Sequence, residues 1–181
     1  MYTKVKQIKG IEYLYLVKQT YDKRHKKTRQ KTVKYLGRIV SLSKKREIDL
    51  NRHIPSIKSF IESNSLQTIF QKLIQYELFN HGFRLDNKLG ELKDNHYRIT
   101  PRCRMFKQIN SGAKVCFEIN QGFLTGHSID RLCEPLPVLE SDLACGEFLA
   151  KRYGAEGLDI SPELFILLFK RVLKQGLLKT G

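Results

Sequence analysis

Residues 11–17 read Ile-Glu-Tyr-Leu-Tyr-Leu-Val, residues 31–36 read Lys-Thr-Val-Lys-Tyr-Leu, and Asp22-Lys23-Arg24-His25-Lys26-Lys27-Thr28 stands between them. Both flanks are rich in aromatic and branched side chains, which fit a half-buried pleated surface, so they predict two strands joined through a charged tip. Alternation puts Tyr13, Tyr15 and Val17 on one face and Leu14 and Leu16 on the other. On the returning strand it puts Val33 and Tyr35 together, opposite Thr32, Lys34 and Leu36. Thr3 to Lys9 predicts a third strand, turned back at Gly10. The expected product is a small antiparallel β module over residues 1–40, with one apolar face and a basic rim.

The charge is concentrated in the same place. Eleven lysines and arginines and no acid fall between Lys23 and Arg46. Residues 1–50 hold 15 basic and 4 acidic side chains, against 18 and 14 in the rest of the chain, whose total is +15. A local excess of this size repels itself unless a polyanion lies nearby, which points first to nucleic acid or an anionic membrane. Lysine meets phosphate as a point charge and arginine meets it with a planar fork. A two-stranded ribbon fits the major groove of duplex DNA. The expected phosphate-contacting residues are Lys23, Arg24, Lys26, Lys27, Arg29, Lys31, Lys34 and Arg38, with Gln30 and Thr32 as candidates for base readout. Arg98, Arg102 and Arg104 share a parity further on and form a second candidate patch.

The stretch Lys9-Gly10-Ile11-Glu12-Tyr13-Leu14-Tyr15-Leu16-Val17-Lys18-Gln19-Thr20-Tyr21, followed by Arg29-Gln30-Lys31-Thr32-Val33 and Leu36-Gly37, resembles the N-terminal opening of insertion-sequence transposases of the DDE class. Those open on a comparable Tyr-x-Tyr-Leu-Val strand, a charged tip, and an Arg-Gln-Lys-Thr-Val-x-x-Leu-Gly block. The resemblance implies a DNA-contacting module over about 40 of the 181 residues. It does not extend to the catalytic core of that class, which gathers three carboxylates around two metal ions. No acid here closes an apolar strand in the required way, and Asp86, Asp94, Asp130 and Asp142 fall in predicted loops and helices. A complete transposase is therefore not expected.

Residues 41–52 are polar and read as a linker, with a helical turn at Lys44 to Leu50. Residues 53–181 read as a mixed α/β domain with a β hairpin and several helices, so the fold class is α+β. Leu66, Ile69, Phe70, Leu73 and Ile74 recur at helical spacing behind Ser65, a good N-cap, with Gly82 as the stop. A shorter helix is expected over Pro55 to Glu62. Asn95 to Phe123 predicts the hairpin, turned at Asn110-Ser111-Gly112, with Val115, Phe117 and Ile119 opposite Cys116, Glu118 and Asn120. Ser128–Glu134, Ser141–Tyr153 and a last helix opened by Ser161-Pro162-Glu163 complete the chain. These C-terminal helices are candidates for a homo-oligomer contact.

The four cysteines are widely spaced, and without Cys-x-x-Cys pairs they read as small core residues in a reducing cytoplasm. No metal or cofactor is expected, and the histidines do not cluster. No run approaches the roughly 18 apolar residues of a membrane span, and the opening six residues lack the apolar core of a secretory signal. The function expected is non-enzymatic nucleic-acid binding, with duplex DNA first, by an accessory or regulatory protein of a mobile element, plasmid or virus. Two alternatives are RNA binding through the same tip, and a metal-dependent nuclease with its site in residues 80–145, built around Glu118 and His96.

Overall fold

Three antiparallel strands open the chain in the computed structural model, which describes residues 1–22, 26–101 and 104–177. They are β1 (Tyr2–Ile8), β2 (Ile11–Asp22) and β3 (Lys27–Ser41). Lys9 and Gly10, both at positive φ, form the tight turn between β1 and β2. Alternation on β2 holds: Leu14 and Leu16 are buried on one face, while Tyr13 and Tyr15 meet Tyr35 on the other. On β3 it does not. The register slips at Val33 and again at Leu36, so that Leu16 faces Lys34, Val17 faces Thr32 and Leu14 faces Gly37. These bulges separate Thr32 from Lys34, which the sequence pattern had placed together, and add twist to the strand.

The sheet does not stop at residue 40. After the polar stretch come α1 (Leu50–His53), α2 (Ile57–Ser63) and α3 (Leu66–Asn80), followed by a four-stranded antiparallel sheet. That sheet comprises β4 (Arg84–Asp86), β5 (Glu91–Lys93), β6 (Tyr97–Thr100) and β7 (Met105–Gln108). Then β8 (Val115–Ile119) returns to lie parallel to β3, pairing Arg38–Ser41 with Val115–Glu118, and β9 (Gly122–Leu124) closes the first sheet in the order β1-β2-β3-β8-β9. The opening strands are thus joined by main-chain pairing to the segment read as a separate domain. The hairpin expected over Asn95 to Phe123 is divided: β6 pairs with β7, whereas β8 joins the other sheet, and one bridge between Lys107 and Lys114 connects them.

This arrangement explains why β8 is apolar on both faces. Val115, Phe117 and Ile119 enter the main core with Ile69, Phe70, Leu78, Leu92, Ile99 and Phe106. Cys116 enters a smaller cluster with Leu14, Leu16 and Leu36. Phe117 lies at the centre, with Phe83, Tyr97 and Phe106 ring centroids 5.4, 5.4 and 5.7 Å away. The helices follow the sequence signals. Ser65, Ser141 and Ser161 accept from the main-chain N–H of Thr68, Ala144 and Leu164, capping α3, α5 (Asp142–Ala155) and α6 (Pro162–Leu177). A short α4 (Ser128–Leu132) precedes α5. Helix α6 buries Leu164, Leu168 and Val172 in the main core and leaves Ile166 exposed.

Candidate nucleic-acid interface

Strand β1 ends its pairing at Tyr2 opposite Val17, while β2 and β3 remain paired out to Asp22 opposite Lys27. Residues 18–22 and 27–31 therefore stand beyond the sheet as a two-stranded ribbon. Their described side chains are exposed. With no slip in this stretch, directly opposed residues share a face. Lys18 opposes Lys31 and Thr20 opposes Arg29, and Lys27 falls on the same side two residues before Arg29. Gln19 opposes Gln30 and Tyr21 opposes Thr28 on the other side. One face of the ribbon carries Lys18, Lys27, Arg29 and Lys31, with Asp22 in register opposite Lys27 at its far end; the other is neutral, polar and aromatic.

The neutral face is tied to the sheet. Gln30 donates from Nε2 to the Tyr2 hydroxyl at 2.6 Å and accepts at Oε1 from Lys4 Nζ at 2.7 Å. Lys6 donates to Thr32 Oγ1 at 3.3 Å and lies over the Tyr15 ring, 4.8 Å from its centroid. Both residues expected to read bases thus spend their polar groups within the sheet. Arg38 pairs with Tyr13 and so lies on the tyrosine side, away from the cationic face. Its charge partly offsets the rise in the Tyr35 pKa, which burial causes first and the neighbouring tyrosines second. Lys26 is exposed in the turn at positive φ. Lys23, Arg24 and Arg102 lie outside the described residues.

The second sheet carries cations that the sequence pattern did not join. Arg84 pairs with Lys93, Lys93 with Arg98, and Arg98 with Lys107, one residue from each of the four strands. Opposed residues share a face, so these four form a row across the sheet, on the side away from buried Leu92, Ile99 and Phe106. Two carboxylates accompany them. Asp86 accepts from Lys93 at 2.7 Å, which holds its carboxyl below the usual range, and Glu91 lies 3.8 Å from Arg98. The expected row Arg98–Arg102–Arg104 is not built. Strand β6 ends at Thr100, and Arg104 (φ 52°) leaves the turn toward α4, meeting Asp130 at 2.8 Å.

A cleft of about 420 Å³ lies between the root of the ribbon and α4, where Lys34, Arg104, Lys107, Lys114, His127 and Asp130 converge. Lys114 donates to the Tyr35 carbonyl at 3.0 Å, and burial, then Lys34, lowers its amine pKa. His127 Nδ1 lies 3.4 Å from the Asp130 carboxylate. Behind this region Arg131 stands 3.5 Å from Glu156, yet burial outweighs that pairing and pushes the Glu156 carboxyl up to about 6. Lys18, Arg84, Lys93, Lys107 and Lys114 were all missed as site residues. Strand parity could have found Lys18, but the rest needed long-range pairing.

The nuclease alternative finds less in the geometry. His96 precedes β6 in the second sheet, whereas Glu118 lies in β8 of the first, where its carboxylate accepts from the Ser41 hydroxyl. The hairpin that would have opposed them is not formed. Among the described residues no three His, Cys, Asp or Glu side chains gather as a metal site. Glu77 on α3 and His81 at its C-cap are both buried, 3.3 Å from each other, with Asn120 donating to Glu77 at 2.8 Å. This group fastens α3 to the turn between β8 and β9. Cys116 is buried and its thiol is pushed up to about 12 by burial, which leaves it inert as a nucleophile. No helix among the described residues is long and apolar enough to cross a membrane. Comparison with family models, with curated proteins and with solved structures gives no match for this chain.

Proposed function

We propose that this chain is a non-enzymatic nucleic-acid-binding protein whose partner is duplex DNA. The observation that carries the reading is the two-faced ribbon. Lys18, Lys27, Arg29 and Lys31 share one exposed face beyond the sheet, and Lys18 stands directly opposite Lys31. Opposed like charges destabilise a strand pair. A phosphate backbone laid along that face offsets the repulsion. A two-stranded ribbon also has the cross-section that the major groove admits. The resemblance of residues 9–39 to the opening of DDE-class transposases supports DNA over other polyanions. With it goes a cytoplasmic role as an accessory or regulatory protein of a mobile element, plasmid or virus. A homo-oligomer through the C-terminal helices belongs to the same reading, with Leu143 and Ile166 as exposed apolar side chains on α5 and α6.

The test is fluorescence anisotropy of a labelled duplex with the full chain at several salt concentrations, beside the variant Lys18→Gln/Lys27→Gln/Lys31→Gln. The reading expects affinity that falls steeply with salt, by about 0.9 log units per log unit of salt for each phosphate neutralised. It expects the variant to lose most of that affinity. Equal binding by the variant would remove the ribbon from the interface. Tighter binding of a structured RNA in competition would favour the RNA alternative, and metal-dependent cleavage of the duplex would favour the nuclease.

A further inference from the structure

The cleft at the root of the ribbon has a composition that the ribbon alone does not explain. Its cations come from three separate places: Lys34 from β3, Lys107 from β7, and Lys114 from the segment that leads into β8. Arg104 also enters, but it is matched by Asp130 at 2.8 Å, the same carboxylate that His127 faces. Among the described residues no carboxylate pairs with Lys34, Lys107 or Lys114. The Lys34 and Lys114 ammonium groups are close enough for the first to perturb the second. The fold brings them together by specific means. The slip at Val33 sets Lys34 on the Leu16 side of β3, and the bridge between Lys107 and Lys114 holds the two sheets in contact. Three ammonium groups around one cavity repel each other, and an anion in that cavity reverses the sign of the interaction.

The cleft is also where two basic surfaces end. The cationic face of the ribbon approaches from Lys31, and the Arg84–Lys93–Arg98–Lys107 row approaches from the second sheet. We infer that this cleft is a binding site for one phosphate group, held by Lys34, Lys107 and Lys114, and that it seats the backbone phosphate at which a bound nucleic acid passes from the ribbon onto the second sheet. The inference rests on the nucleic-acid reading for the source of the phosphate, while the phosphate chemistry rests on the cleft itself.

The variant that tests it is Lys34→Gln/Lys107→Gln in the full chain, which spares the Lys114 bond to the Tyr35 carbonyl. Circular dichroism and thermal melting would show that it folds. In the duplex anisotropy titration, the slope of log affinity against log salt should fall by about one relative to the wild type, as for one phosphate. An unchanged slope would overturn the inference, and so would a fall of about two, which means separate phosphates for the two lysines. If the wild type binds no duplex, the proposed function fails, and inorganic phosphate then decides the cleft. Saturable ¹H–¹⁵N shifts confined to Lys114, Val115, Gly126 and His127, absent in the variant, would support a site for free phosphate. Shifts spread over the basic surface, or none, would overturn it.

Discussion

The two sheets present cations in opposite ways. In the second sheet the row of Arg84, Lys93, Arg98 and Lys107 lies over a buried apolar row, and Asp86 and Glu91 offset part of its charge. Packing beneath and carboxylates alongside make that row cheap to maintain. In the first sheet the ribbon projects beyond β1 with no core under it, and Lys18 is set against Lys31. Nothing in the local packing rewards that placement. The difference separates a basic surface whose charge the fold itself offsets from one that sets like charges against each other, the pair that the proposed phosphate partner would relieve.

The largest effect should come from the core that both regions share. Phe117→Ala removes the ring packed on Phe83, Tyr97 and Phe106 and should cost about 3–5 kcal/mol, read as a fall in the denaturant midpoint. Because β8 pairs with β3, signals from tyrosines in the first sheet should melt together with the rest. Separate transitions would show that the two regions are independent.

Gly37→Ala strikes the junction itself. Gly37 sits at φ 152°, and a Cβ there would stand 2.5 Å from the Val115 carbonyl carbon. The expected loss is about 2–3 kcal/mol. Hydrogen exchange should show it first along β3 and β8, and uniform exchange would contradict the assignment.

Glu156 tests the layer behind the first sheet, where it lines a small cavity with Leu16, Leu36 and Phe123. Its folded-state pKa is raised from 4.5 to about 6, chiefly by burial. The stability linked to its neutral form is complete below pH 4.5 and is lost as pH rises through about 6, by about 2 kcal/mol. Glu156→Gln should remove that dependence and melt higher than the wild type at pH 7.5, by calorimetry. An identical pH profile would contradict it.

The smallest effect is the most specific to the comparison. Lys18→Gln/Lys31→Gln should raise stability by a few tenths of a kcal/mol while weakening nucleic-acid binding. Lys93→Gln should do the reverse for stability, because it leaves Asp86 unpaired.

Much of this was readable in local sequence. The turn at Gly10, the caps at Ser65, Ser141 and Ser161, and the division of β8 between Phe117 and Cys116 all follow from periodicity and end signals within a few residues. The Leu36-Gly37 pair in the transposase-like block has a physical reason, since only glycine permits the approach of Val115. What periodicity cannot carry is pairing at a distance. The parallel contact of Arg38 with Val115 joins residues far apart in the chain, and it makes the opening module three strands of a five-stranded sheet. The slips at Val33 and Leu36 invert the faces of β3 without any change in composition. The turn after Thr100 sends Arg104 away from Arg98. The cations were visible as a number, but the sides that Lys34 and Arg38 take depended on the slips in β3, and the place of Arg104 on the turn after Thr100.

The account is tested most directly by lysine acetylation of the full chain with and without duplex DNA, read by mass spectrometry. It predicts protection of Lys18, Lys27, Lys31 and Lys34, with Lys4 and Lys6 on the tyrosine face modified as in the free protein. Equal protection of both groups, or protection of neither, would contradict a one-sided ribbon as the docking surface.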